Sequence, residues 1–383
     1  MPKRHNRCDD KEDWVQYKLA AMTKWLLSPR VLRVVQSGNL GVVNWLVPGA
    51  SPDRDYDGLY PEIAGYYLQF ISIAALDLHR PGSIEPAIAR DTAARVAAWL
   101  GEIGPKGDPI TLQHRDMAES DWRNACLFVF DLAMIVRGLV ATEARWPGLI
   151  APALISRYAD SAAKMISNGR LASHTMRAGA LVDTIPAKWS TLPGVHHVKA
   201  AAALKSVSEA ALAAAIETTL TDQADKLAQQ GRSRLRELHP FLYLIEGWLI
   251  LWGRSGDPAF LRKAQFAFTL VLGELDPDTG LLPPIAGDRQ AAARSDVLAQ
   301  ALRAGLILER ANAIDGELLG RWVIAAPRLK AALLDRVSPE GGVEFDTVGR
   351  HLNVWATLFG WQALRLSDQA EMFDSKYEAS ALI

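Results

Sequence analysis

The stretch YPEIAGYYLQF, residues 60–70, decides how the chain is read. It is mostly apolar, as a buried helix is, yet Glu62, Tyr66 and Gln69 interrupt it. Their spacing of i, i+4 and i+7 stacks them along one helical face. A polar stripe down a buried helix has to be paired or wetted, because an unpaired carboxylate in an apolar medium costs several kcal/mol.

The stripe recurs. HPFLYLIEG places His239, Tyr243 and Glu246 at the same spacing, RSDVLAQALRAG places Asp296, Gln300 and Arg303, and NACLFVFD places Asn124, Phe128 and Asp131. His196 and His197 open another apolar segment, and HLNVW brings His351, Asn353 and Trp355 to the head of the last. Six such segments, at 60–77, 124–142, 196–209, 239–252, 295–309 and 351–366, alternate with six amphipathic ones at 11–27, 85–103, 149–167, 207–230, 257–275 and 315–337.

That alternation predicts an all-α fold, an (α/α)6 barrel in which six inner helices form a ring covered by six outer helices. One barrel is expected over residues 11–370, between a loosely ordered start at 1–10 and a tail at 371–383. Tyr60-Pro61, His239-Pro240 and Asp257-Pro258 mark helix starts, since proline at the first turn lacks only a donor that would be unpaired anyway. Connections leaving the inner segments, such as GRSGDP and HRPGSIEP, are short. Those entering them, at 36–59, 104–123, 168–195, 276–294 and 338–350, are long, so one mouth of the ring is expected to carry the function.

The chain has 383 residues, 49% hydrophobic and 22% charged, with a formal net charge of -1. That balance disfavours nucleic acid or an acidic membrane surface as a partner. Cys8 and Cys126 make neither a disulfide framework nor a zinc knuckle. The most apolar run, FLYLIEGWLILWG, is short and contains Glu246, so no membrane insertion is expected and the cytoplasm is the default location. GxSxG, P-loop, GxGxxG and HExxH motifs are all absent, and no metal or cofactor is expected.

The polar positions therefore point to a lumen with acid and base groups. Trp122, Trp189 and Trp355 fall in or near the long connections, where flat indoles suit the C–H faces of sugar rings. Each residue also has a structural reading. Glu246 fits a buried ion pair, Asp131 a hydrogen-bond acceptor, Asp296 a helix-dipole partner, His239 before Pro240 an N-cap-region residue, and His196-His197 the end of a loop. Their coincidence is what suggests a site.

YPEIAGYYLQF, FDLAMIVRGL, HPFLYLIEGWL and RSDVLAQALRAGLIL resemble the inner-helix motifs of α/α-toroid proteins of bacterial polysaccharide gene clusters. HLNVWATLFGWQAL is similar to the C-terminal helical domain of glucuronyl C5-epimerases. The resemblance implies a carbohydrate-active relative, in a class that also holds glycoside hydrolases, polysaccharide lyases and N-acylglucosamine 2-epimerases. The expected substrate is then a uronate-containing or related glycan.

In an epimerase or lyase, Tyr66, Tyr243 and His239 are candidate base and acid, tuned by Glu62 and Glu246, while Arg123, Arg294 or Arg303 neutralises the sugar carboxylate. In a glycoside hydrolase, Glu62 acts with Asp296 or Glu246. Tyr60, Gln69, Trp122, Asp131, His197, Gln300, His351 and Trp355 complete the candidate binding set. Two other readings stand beside these: a non-catalytic toroid that binds a glycan or peptide or scaffolds a biosynthetic complex, and a natural-product tailoring enzyme on the same ring.

Overall fold

The computed structural model describes residues 9–47, 58–76, 82–103, 113–114, 122–177, 184–368 and 374–383. Six helices form the inner ring: α2 (Pro61–Ala74), α5 (Val129–Arg145), α7 (His197–Leu204), α9 (Leu238–Ser255), α11 (Ser295–Arg310) and α13 (Val354–Asp368). Each packs on the next, and α13 packs back on α2, so the ring closes. Outside them lie α1 (Asp9–Leu26), α3 (Pro86–Glu102), α6 (Pro152–Ala163), α8 (Ala210–Gln230), α10 (Pro258–Leu272) and α12 (Gly316–Arg336). Each outer helix leans mainly on one inner helix, α10 and α12 also touching the next, and α1 covers α13, joining the first helix to the last ring member.

The local chemistry explains the cuts. Pro61 and Pro258 stand in the first turns of α2 and α10, and the Asp257 carboxylate accepts the amide of Ala259 at 2.8 Å. Every residue of α2 is buried, whereas α8 and α12 each bury one stripe.

Two inner helices meet backbone to backbone. A Cβ on Gly65 would fall 2.4 Å from the Met134 carbonyl oxygen, and one on Gly138 2.3 Å from the Gly65 carbonyl oxygen. Only hydrogen fits at this crossing of α2 and α5, which brings the N-terminal turns of these helices, with Glu62 and Asp131, side by side.

The structure departs from expectation at two inner segments. The one predicted at 124–142 is a short helix, α4 (Trp122–Ala125), then an extended stretch, Cys126–Phe128, before α5 begins. Cys126, Leu127 and Phe128 pair antiparallel with Met176, Thr175 and His174, so Asn124 does not share a helical face with Asp131. The one predicted at 351–366 begins at Val354, because Leu352–Asn353 pairs with both Val343–Glu344 and Trp45–Leu46. Ladders of two or three residues thus pin connections at the ring's N-terminal side.

The long connections enter the inner helices at that side, although 48–57, 104–112, 115–121 and 178–183 lie outside the described residues. The segment read as a tail carries α14 (Ser375–Ser380), which packs on α9 and α11. Residues 380–383 then reach the middle of the ring from its C-terminal side. Arg137 donates to the carbonyls of Ser380 and Leu382, and Lys199 to that of Ile383.

Candidate active site

A cavity of about 280 Å³ opens among the first turns of the inner helices. One wall is acidic. Glu62, in the first turn of α2, and Asp131, in the first turn of α5, flank Tyr60, whose hydroxyl donates to Asp131 Oδ2 at 3.3 Å. Burial pushes the Glu62 carboxyl up to about 7, against hydrogen bonds from Tyr60 and Tyr66. Burial, and then the negative charge of Glu62, also raises Asp131 well above the usual carboxylate range. Two buried carboxyls this close do not both ionise at neutral pH, so the pair holds a proton.

The facing wall is basic. His239 Nδ1 lies 2.7 Å from Gln300 Oε1 and 3.2 Å from Asp296 Oδ2. A carboxylate only accepts, so Asp296 fixes the proton on Nδ1 and leaves the Nε2 lone pair free. Burial pulls the imidazole down to about 4, which keeps it neutral. Asp296 is itself held to about 2 against its burial, by Arg294 and then His239. Arg294 grips it with Nε at 3.1 Å and with Nη2, and Trp355 donates its indole N–H at 3.2 Å.

Cations and rings line the rest: Arg123, Lys188 and Arg294, with Trp122, Trp189 and Trp355. The Lys188 ammonium sits 5.3 Å from the Trp122 ring centre, and Trp189 packs edge-on to His239. Tyr243 closes the floor, its hydroxyl 3.1 Å from that of Tyr66. Burial raises both phenols well above their ordinary range, so at neutral pH they are donors and not bases.

Below this floor the lumen is filled by paired charges. Glu246 takes Lys199 at 2.8 Å on one oxygen and Arg303 on the other, and all three side chains are fully buried. Burial alone would raise the Glu246 carboxyl, but Arg303 and then Lys199 hold it below the ordinary range. Lys199 also lies under the rings of Tyr66, Tyr243 and Phe359, at 4.6 to 5.3 Å from their centres. Burial draws its ammonium down to about 7 although Glu246 opposes this.

The opening stripe is thereby accounted for. Glu62 faces the cavity, Tyr66 lies behind its floor with its hydroxyl 3.1 Å from that of Tyr243, and Gln69, deeper still, accepts Arg137 Nε at 2.6 Å.

Of the residues singled out by sequence, Tyr60, Glu62, Trp122, Arg123, Asp131, His239, Tyr243, Arg294 and Trp355 line this one cavity. Asp296, Gln300 and Tyr66 support it from behind. Glu246, Arg303 and Gln69 lie beneath it. His197 lines a separate cavity beside α8, and His351 is held between the rings of Trp45 and Phe345.

Sequence reasoning left Lys188, Ser190 and Phe130 out of the site and named Phe128 only through its spacing to Asn124 and Asp131: a loop carries Lys188 and Ser190, an extended stretch carries Phe128, and Phe130, in the first turn of α5, is apolar like its neighbours. Lys199 and Arg137 were also passed over, although a lone cation inside an apolar helical run is itself a signal. Among the described residues, no group of three or more His, Cys, Asp or Glu is arranged to hold a metal ion, and no helix is long and apolar enough to cross a membrane.

Comparison with solved structures settles the architecture. The chain matches a sugar epimerase from a ruminal bacterium with a TM-score of 0.68 at 12% identity, over 94% of this chain and all of that one. It matches a D-mannose isomerase with the same TM-score and identity, over 95% and 100% of the two chains. An unsaturated glucuronyl hydrolase specific for heparin follows with a TM-score of 0.61 at 10% identity, over 93% and 97%. The fold is the (α/α)6 toroid of these carbohydrate-active proteins. No protein-family model matches the sequence, and no curated protein does.

Proposed function

We propose that this protein is a carbohydrate-active enzyme that moves a proton on a sugar held in the mouth cavity. One observation carries the reading: a neutral imidazole with a free Nε2 and a proton-holding carboxyl pair line the same 280 Å³ cavity. His239 Nε2 takes a proton from the carbon beside a sugar carboxylate or carbonyl. The C–H electron pair passes into an enolate, whose oxygen the cations of the wall stabilise. Glu62 or Asp131, relayed by Tyr60, returns a proton, and the face of return decides between epimer and starting sugar. In the lyase outcome the same proton assists departure of the neighbouring glycosidic oxygen.

The uronate preference rests on charge. Arg123, Lys188 and Arg294 surround the cavity, and the inner-helix N-termini that point at it favour an anion. The cavity sits near the low end of ligand pockets, which run from about 300 to 1,000 Å³. It suits one or two sugar rings and not the interior of a polymer. The similar fold of a sugar epimerase, a D-mannose isomerase and an unsaturated glucuronyl hydrolase specific for heparin supports the substrate class. The carboxyl pair also favours a second reading, glycoside hydrolysis, in which Glu62 and Asp131 divide the acid and base roles.

The test is incubation with uronic acids, their oligosaccharides and neutral sugars in deuterated water. Deuterium on carbon marks epimerisation, ultraviolet absorbance marks an unsaturated lyase product, and new reducing ends mark hydrolysis. Glu62→Gln and His239→Ala each abolish the activity found while the helical circular dichroism stays. Unaltered turnover in both variants overturns the reading.

A further inference from the structure

The end of the ring opposite the mouth holds a larger cavity, about 380 Å³, formed where the inner helices finish. Three arginines line it: Arg137 and Arg145 from α5, and Arg254 from the last turn of α9. Among the described residues no carboxylate lines it, and none of the three arginines makes an ion pair. Such a concentration of one sign is costly. Arg137 is 3% exposed, and its guanidinium is depressed by burial first and by the charge of Arg254 next.

The donors are also only partly used. Arg137 spends Nε on Gln69 and Nη2 on the carbonyls of Ser380 and Leu382, which leaves Nη1 buried without a partner. Arg145 gives Nη2 to the Ala75 carbonyl and leaves Nε buried without one. Arg254 gives Nη1 to the Ala202 carbonyl. Helix C-termini attract cations, which explains Arg145 and Arg254 in the last turns of α5 and α9 but neither the mid-helix Arg137 nor the convergence of all three on one hollow with unspent donors.

Apart from Gln69, Ser72 and Ser380, the remaining walls are carbon-rich, with Ile73, Leu76, Val140 and Ala141 and with Tyr377 of α14. A bare inorganic ion would satisfy the guanidinium groups and leave this surface wet. We infer that this cavity is a second ligand site, for a small organic anion whose carboxylate or phosphate meets Arg137, Arg145 and Arg254 and whose apolar body lies against Val140, Leu76 and Tyr377. The site is separate from the mouth cavity, with the Lys199, Glu246 and Arg303 cluster between them.

The test is calorimetric titration of the full chain with phenyl phosphate, hexanoate and inorganic phosphate, in the absence of sugar. Saturable binding of phenyl phosphate or hexanoate is expected, and the two arms tell a phosphate from a carboxylate preference. Arg254→Met should weaken it about tenfold or more, as loss of one charge-assisted hydrogen bond does. Ala141→Trp, which keeps all three arginines and fills the hollow, should abolish it, and Glu62→Gln should leave it unchanged. Absence of saturable binding to the native chain overturns the inference. So does binding that survives both Arg254→Met and Ala141→Trp, or binding lost in Glu62→Gln. Equal affinity for inorganic and phenyl phosphate overturns the organic part.

Discussion

Nδ1 of His239 lies 2.7 Å from Oε1 of Gln300, and Asp296 holds the same nitrogen from a second side. In the proposed mechanism these contacts make a buried histidine an oriented base. Asp296→Asn releases the tautomer, because an amide can donate to Nδ1 and move the imidazole proton to Nε2. The expected outcome is a fall in kcat/KM of at least about 100-fold, the lower range of what a general base contributes. Gln300→Ala leaves Asp296 in place and should cost only about fivefold to tenfold. Steady-state kinetics on the sugar found by screening checks both.

The acid and base groups set a pH profile. His239 is lowered to about 4, so it is a competent base above that pH. Glu62 is raised to about 7, so its proton persists below that pH. kcat/KM should therefore be bell-shaped with limbs near 4 and near 7, and Glu62→Asp should move the basic limb and leave the acidic one. Stability follows the same signs. A carboxyl raised in the fold favours the native state below its ordinary range and ceases to do so as pH rises through about 7, so Glu62→Gln should flatten a loss of stability between about 4.5 and 7.

The contact of Gly65 with Gly138 makes a steric prediction. In an open helix Gly→Ala adds up to about 1 kcal/mol of stability. Here either alanine places a carbon well inside contact distance of a backbone carbonyl. Gly138→Ala should destabilise by about 1–3 kcal/mol, the range for overpacking, and lower the thermal midpoint by several degrees. A raised midpoint would mean that α2 and α5 separate without strain.

The cluster under the floor answers to removal of one partner. Glu246→Gln strips the Glu246 carboxylate from Lys199 and Arg303, both fully buried. A loss of about 3–5 kcal/mol in urea unfolding is expected. Lys199→Met should cost less, since Arg303 still holds Glu246.

The toroid was legible from the alternation of two helix types. All twelve helices of the two rings overlap the segments that the 3.6-residue period marks, although α5 and α13 begin later than expected. The stripes of α2, α9 and α11 were legible too, because each is written on one continuous helix. The acidic half of the site was harder: Asp131 was found with a wrong companion, since the extended stretch at 126–128 breaks the period that seemed to link it to Asn124. Lys188, on a loop, and Phe128, on a strand paired with His174, owe their places to long-range contacts, which leave no local period. The filled lower lumen was hidden for a related reason. Pairing of Glu246 with Lys199 and Arg303 joins three helices, and a single helix does not announce its neighbours' charges.

The ion-paired plug has a consequence for inheritance. With its middle sealed, the ring keeps its shape whatever the rim carries, so insertions among the entering segments alter admission without disturbing the scaffold. Descendants of such an ancestor are free to diverge in diet at the doorway while the masonry beneath stays recognisable.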